Sequence, residues 1–112
     1  AALDVVRFIV DNVGGITGGM KIARLAECFG MECAPHNWGD AFDHAVHFHC
    51  ELAMPNNVWF EMTVPQGSSD RPYIKDRIRI SADGCVHAPV KPGLGYEIDR
   101  GVLDNLTRKI DR

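Results

Sequence analysis

The sequence predicts an α/β fold of parallel strands joined by helices, and three observations support this class. A nearly continuous apolar run from Asp4 to Val10 has the length and the β-branched composition of a buried parallel strand. A glycine turn and an amphipathic stretch follow it, and the same order of patterns continues to about residue 63. Alternation of this kind is typical of parallel strands with right-handed crossovers. We therefore expect residues 1–63 to form a βαβαβ segment.

The first predicted helix extends from about Met20 to Phe29 and follows a glycine turn. Thr17 has the side-chain type of an N-cap, and Gly30 has the type and position of a residue that ends a helix. Four apolar residues recur at helical spacing, so we expect them to pack inward. They are Ile22, Leu25, Ala26 and Phe29.

A second strand is expected from Met31 to Ala34, a second helix from about Asp40 to Met54, and a third strand from Val58 to Met62. The apolar stripe of the second helix comprises Phe42, Ala45, Val46, His49, Cys50 and Ala53. His44 and His47 lie off this stripe, which favours a solvated position for both. Their spacing with His49 does not place all three imidazoles on one helix face, which argues against a metal cluster.

Residues 64–112 are expected to form a C-terminal hairpin and a return segment of the same domain. The tripeptide Ala82-Asp83-Gly84 lies between two short strand-like stretches, from Arg77 to Ser81 and from Cys85 to His87. Asp-Gly between two such stretches is a strong hairpin signal. A terminal helix or turn is expected from Asp99 to Ile110.

The composition excludes several classes of function. The formal net charge is −3 and no basic stripe is present, so nucleic acid is not an expected partner. The apolar runs are much shorter than a membrane span and no signal peptide is recognisable, which predicts no membrane association and a cytoplasmic location. The spacing of the four cysteines matches no zinc pattern, so we expect them to be small buried apolar residues.

His36 is the strongest candidate for a catalytic residue. It ends the second predicted strand, in the stretch Glu32-Cys-Ala-Pro-His-Asn37. In (β/α)8 barrels the carboxyl ends of the strands carry the catalytic side chains. The strand, turn, helix, strand order therefore predicts an enzyme, and we expect Asn37 and Trp38 beside the histidine to contact substrate.

Five stretches occur in a characteristic order: Gly14–Thr17, Leu25–Gly30, Pro35-His36, His49–Asn56 and Pro92–Asp99. Together they resemble the enolase superfamily, and more narrowly the C-terminal end of the mandelate racemase and muconate lactonizing enzyme family. The resemblance implies strands six to eight of a (β/α)8 TIM barrel, with two helices. Such a barrel needs about 250 residues, so we expect the chain to be part of a longer protein.

The resemblance also implies a chemistry, namely Mg²⁺-dependent removal of a proton next to a carboxylate. It places the general acid/base role on His36 and a hydrogen bond to the substrate carboxylate or enolate on Glu61. The metal ligands of the family lie on earlier strands, so we expect none in this chain. The expected activity is that of an acid-sugar dehydratase acting on a sugar acid, and the expected assembly is a homo-oligomer.

One departure from the family concerns the carboxylate that orients the histidine. The family usually has an aspartate at the end of strand six, and this position holds Ile9 here. Asp11 has the same side-chain parity in an extended strand, so we consider it as a replacement. If neither residue supplies a carboxylate, His36 lacks the partner that fixes its tautomer.

Two alternatives to dehydration remain open from the sequence. One is racemisation or epimerisation of a 2-hydroxy acid, because a base on the opposite face of the substrate would lie outside this chain. The other is a non-catalytic remnant or interaction module, whose open strand edges would need to be covered by another chain.

Overall fold

The computed structural model describes residues 2–68 and 70–107, and it confirms the α/β class. The elements in chain order are strand β1 (Val5–Val6), a 3₁₀ helix (Asp11–Val13), helix α1 (Gly15–Cys28), strand β2 (Glu32–Cys33), helix α2 (Ala41–Leu52) and helix α3 (Arg100–Leu106). None of the described helices has the length and apolarity needed to cross a membrane.

The two strands are parallel, as predicted. Val5 is opposite Glu32, and Val6 is opposite Cys33. The pairing continues past the assigned ends, because the His36 N–H donates to the Phe8 carbonyl at 2.7 Å. This ladder brings the residues that follow β1 next to the residues that follow β2.

The prediction of a third strand at Val58 to Met62 is wrong, since no strand forms there in the described chain. The Cys33 N–H still donates to the Asn56 carbonyl at 2.9 Å, so the segment begins beside β2. The Cys33 carbonyl, however, accepts from the side-chain amide of Asn57 at 2.9 Å. A side chain therefore occupies an acceptor that a backbone ladder would use.

Helix α1 begins earlier than predicted, and Thr17 is not its N-cap. Gly14 occupies the cap position with φ of 92°, and no side chain caps the helix. The 3₁₀ helix leads directly into α1, since the Gly15 N–H donates to the Val10 carbonyl at 2.9 Å. The C-terminal prediction is confirmed: Gly30 follows the helix with φ of 67°, a conformation that glycine adopts without strain.

The predicted inward face of α1 is confirmed only in part, because Ala26 is buried as expected but Leu25 and Phe29 are not. The buried residues of the helix are Gly19, Ala23 and Ala26, whereas Leu25 is 62% exposed and Phe29 is 72% exposed. The small residues allow a close approach, because a Cβ at Gly19 would lie 3.3 Å from the Phe8 ring. Packing at this distance requires a face without large side chains.

Helix α2 has the predicted position, with Asp40 as its N-cap. The Asp40 side chain accepts from the N–H groups of Phe42 and Asp43, and the Asp43 side chain accepts from the Asp40 N–H, which completes a capping box. The prediction that His44 and His47 are solvated is wrong, since both are buried. Residues after the helix pack against it, since the Phe42 ring stacks on Tyr73 and the His44 ring meets Phe60 edge-on, each with centroids 6.1 Å apart.

The buried apolar cluster that holds these elements together consists of Val10, Ala23, Ala26, Cys33, Cys50 and Met54. All four cysteines are free thiols. Cys33 and Cys50 are buried as expected, but Cys28 and Cys85 are exposed, so the expectation fails for these two.

The C-terminal hairpin is confirmed, although it is reduced to a single bridge between Ile80 and Val86. The Gly84 N–H donates to the Ser81 carbonyl at 2.9 Å and closes the turn. Helix α3 begins at the predicted place, capped by Asp99, and the last residues of the predicted helix lie outside the described part of the chain.

Candidate active site

His36 lies three residues after β2, and its side chain is 35% exposed. The backbone hydrogen bond to Phe8 fixes the main chain at this point. The imidazole therefore projects from a hydrogen-bonded stretch of backbone and is still accessible to a small molecule.

Glu61 is the carboxylate beside this histidine. Its Oε2 lies 2.8 Å from Nδ1 of His36 and accepts from the Asn37 N–H at 2.6 Å. Its Oε1 accepts from Nη2 of Arg7 at 2.5 Å. Three groups from two separate segments thus converge on one carboxylate.

The charge of Glu61 follows from these contacts. Burial alone would raise its pKa, but the Asn37 N–H and the Arg7 guanidinium outweigh burial, and the pKa lies below its usual range. Glu61 is therefore ionised at neutral pH and acts only as a hydrogen-bond acceptor.

The tautomer of His36 can be assigned from the same contacts. Nη2 of Arg7 also lies 2.8 Å from Nδ1, but a guanidinium has only donors, so this contact and the Glu61 contact make opposite demands on Nδ1. An ionised carboxylate at 2.8 Å requires a proton on Nδ1, and Arg7 can direct its proton to Oε1 instead. The lone pair of the ring is then on Nε2, which bonds none of the described residues.

Of the residues expected at the site, Trp38 lies beside the histidine. Its ring stacks on His36 with centroids 6.1 Å apart and is 71% exposed. The Asn37 side chain is buried, and only its backbone N–H reaches the cluster. The exposed Trp38 ring is thus accessible to a substrate, whereas the Asn37 N–H is already bound to Glu61.

Asp11 lies apart from this cluster. It is exposed in the 3₁₀ helix, and the hydrogen bonds of His36 in the described chain go to Arg7, Glu61 and the Phe8 carbonyl. The carboxylate that contacts the histidine is therefore Glu61.

The sequence alone does not identify Arg7 as a site residue. In the sequence Arg7 is a single cation within an apolar run, with the same side-chain parity as Ile9 in an extended strand. Periodicity alone could not connect it to a glutamate 54 residues further along the chain.

A second group of polar side chains is buried behind the site on α2. His44, His47 and Glu51 recur at i, i+3 and i+7, and each has a side-chain atom without a hydrogen-bond partner. Burial lowers the pKa of both histidines. Burial and then the negative charge of Glu61 raise the pKa of Glu51 to about 8, so this carboxyl is largely protonated at neutral pH.

No metal site accompanies these groups. Within residues 2–68 and 70–107, no three histidine, cysteine, aspartate or glutamate side chains are arranged to hold an ion. The described residues therefore do not form a binding site for the Mg²⁺ that the resemblance implies.

A family model described as enolase C-terminal domain-like matches residues 1–102. The chain is 32% identical over 103 residues to an arabinonate dehydratase of Saccharolobus solfataricus, and covers 27% of that protein with 92% of its own length. It is also 32% identical over 105 residues to a D-gluconate dehydratase of Thermoproteus tenax, with coverage of 91% of the chain and 20% of the relative. The chain thus spans about a quarter of the length of these curated relatives.

A solved structure has the same fold. The chain superposes on a member of the enolase superfamily from Polaromonas with a TM-score of 0.80 and 31% sequence identity, over 94% of this chain and 28% of that one.

Proposed function

Because the chain belongs to the enolase C-terminal domain-like family, we propose that it carries the acid/base residue of an acid-sugar dehydratase. Its curated relatives are named as dehydratases of arabinonate and gluconate, which are sugar acids with a carboxylate next to a hydroxylated carbon. The observation that carries the proposal is the His36–Glu61 contact of 2.8 Å just beyond a parallel strand.

The proposed reaction removes water from the α and β carbons of a sugar acid. Nε2 of His36 takes the proton from the carbon next to the carboxylate, and the ionised Glu61 at Nδ1 stabilises the positive charge that the ring gains. The protonated ring then returns the proton to the departing β-hydroxyl, which leaves as water. The enol that remains tautomerises to a 2-keto-3-deoxy acid.

The substrate contacts of this chain are proposed to come from the surroundings of His36. Trp38 offers an exposed ring face against which the sugar carbons can pack. The contact between Glu61 and the substrate carboxylate or enolate that the resemblance implies remains a prediction, as does the assignment of Asn37 to substrate binding.

Mg²⁺ stays part of the proposal only as a requirement of the whole protein. No ligand set for it exists among residues 2–68 and 70–107, so we assign no step to it and propose that its ligands come from a part of the whole protein other than these residues. We further propose strands six to eight of a (β/α)8 barrel for the path of this chain, a homo-oligomeric assembly and a cytoplasmic location.

The test uses the protein expressed from its complete reading frame, with a panel of five- and six-carbon aldonic acids and Mg²⁺. We expect a 2-keto-3-deoxy acid to form from at least one member of the panel. H36N should lower kcat by about 10²–10⁴-fold, the usual range for loss of a general acid/base.

The matched control is H87N. His87 also contacts a carboxylate, with Nε2 3.1 Å from Oδ2 of Asp83, but it lies on the exposed hairpin. Full activity of H36N would overturn the proposal, and so would exchange of the α-proton with solvent deuterium without loss of water from any panel member.

A further inference from the structure

The aspartate that usually orients the histidine in the family is absent here, so another group must orient His36. A catalytic imidazole needs a hydrogen bond at its second nitrogen, because this bond selects the tautomer and holds the ring. Ile9 has no polar group at the expected position. In the structure Glu61 makes the bond, from a segment that follows α2.

Glu61 needs support from its neighbours to act as an anchor, because its side chain is 26% exposed. Oε2 already accepts from the Asn37 N–H and faces Nδ1 of His36. Oε1 accepts a hydrogen bond from Arg7, the residue that follows β1. The arginine therefore holds the second oxygen, and together with the Asn37 N–H on Oε2 it fixes the carboxylate that faces Nδ1.

We propose that Arg7 is a positioning residue which holds Glu61 as the orienting carboxylate of His36, in place of the strand-end aspartate. This assignment rests on the proposed function of His36 as acid/base. It gives Glu61 a role toward the histidine, instead of the contact with substrate that the resemblance implies. Arg7 acts through Glu61 and need not touch the substrate.

A direct hydrogen bond from Arg7 to His36 would give a different tautomer from the proposed arrangement. If Arg7 donated directly to Nδ1, the ring would carry its proton on Nε2 and could not accept a substrate proton there. The two arrangements therefore differ in which ring nitrogen is protonated, which can be measured without any substrate.

The experiment is long-range ¹H–¹⁵N NMR of the histidine rings in the complete protein, at a pH well above the ordinary histidine pKa of about 6.5. The His36 signals are assigned by their loss in H36N. We expect the Nδ1–H tautomer in the wild type and a mixture of tautomers in R7Q. R7K keeps the charge but has no planar fork, and it should lie between the two.

The matched control is R24Q, since Arg24 pairs with Glu27 on the exposed side of α1. It should leave the His36 tautomer unchanged. An Nε2–H tautomer in the wild type would overturn the proposal, and so would a tautomer in both R7Q and R7K identical to that of the wild type.

Kinetics add a second readout. Loss of an orienting partner typically lowers activity by about 10–100-fold, so we expect this fall in kcat for R7Q with KM changed by less than about twofold. A rise in KM with kcat preserved would identify Arg7 as a substrate contact and overturn its positioning role. If no sugar acid is turned over, the proposed function fails while the tautomer measurement still decides the role of Arg7.

Discussion

The backbone N–H of Asn37 donates to Oε2 of Glu61 at 2.6 Å, the same oxygen that lies 2.8 Å from Nδ1 of His36. Two consecutive residues that follow β2 therefore bind one carboxylate oxygen, one through the main chain and one through the ring. The Asn37 contact is made by the main chain, so it does not depend on the chemistry of the residue 37 side chain.

The first prediction concerns E61Q. The amide keeps the shape of the side chain but loses the charge, so it stabilises a protonated His36 less and can present a donor to Nδ1. We expect kcat to fall by about 10–100-fold in the complete protein. E97Q is the control, because Glu97 pairs with Lys75 on the exposed surface. Wild-type kcat in E61Q would contradict any role of this carboxylate in the reaction.

The second prediction concerns the buried carboxyl of Glu51. Its pKa in the folded protein is about 8, above the ordinary value of 4.5, so between these pH values the unfolded chain releases a proton that the folded chain retains. Stability is therefore lost as the pH rises through this window. E51Q removes this loss, and at pH 8 it should exceed the wild type in free energy of unfolding by about 1–4 kcal/mol.

Urea unfolding of the complete protein at pH 5 and pH 8 measures this effect. The gain in free energy of unfolding should be smaller at pH 5, where the Glu51 carboxyl of the wild type is more fully protonated in both the folded and the unfolded state. E27Q, on the exposed face of α1, should show no gain at either pH. A stability difference of E51Q that is independent of pH would contradict the prediction.

The third prediction concerns acid sensitivity. Burial lowers the pKa of His47, so below about pH 6.5 the unfolded chain takes up a proton that the folded chain does not. This contribution destabilises the fold as the pH falls through the ordinary histidine value toward the lower folded value. H47Q should reduce the loss of stability between pH 7 and pH 5.

Thermal unfolding at several pH values provides the measurement for H47Q. H87Q is the control, because His87 is exposed on the hairpin. The same pH dependence in H47Q and in the wild type would show that His47 does not contribute.

The fourth prediction concerns Asn56, which joins α1 to the start of β2. Its Nδ2 donates to the carbonyls of Ala23 at 3.1 Å and Met31 at 3.0 Å. N56L leaves these acceptors without their donor, at a cost of about 1–3 kcal/mol for a buried group. Equilibrium unfolding should show this loss, and N12L on the exposed 3₁₀ helix should stay within about 0.5 kcal/mol of the wild type.

The sequence predicted those features that depend on local pattern. The strand, helix, strand order, the end of α1 at Gly30 and the hairpin at Asp83-Gly84 follow from periodicity and turn residues, and the structure contains them. The position of His36 just after a strand follows for the same reason. Glu61 follows only from the family resemblance, which implies a substrate contact for it, and the strand expected around it does not form.

The remaining features depend on packing between distant segments. Which face of α1 lies inward is decided by the close approach of Gly19 to Phe8, and this favours small residues over Leu25. His44 meets the Phe60 ring edge-on, a contact with a residue after α2 that helical periodicity does not predict. Arg7 is part of the candidate site only because the chain returns to it 54 residues later.

This separation along the chain has a consequence for the order of events in folding. The pairing of Val5 with Glu32 encloses all of α1 in one loop, and the Arg7–Glu61 contact encloses both α1 and α2 in a longer one. Closing such loops costs chain entropy before any contact rewards it, so non-local pairing slows folding. We expect α1 and α2 to gain structure early and the arginine–glutamate–histidine cluster to assemble among the last steps.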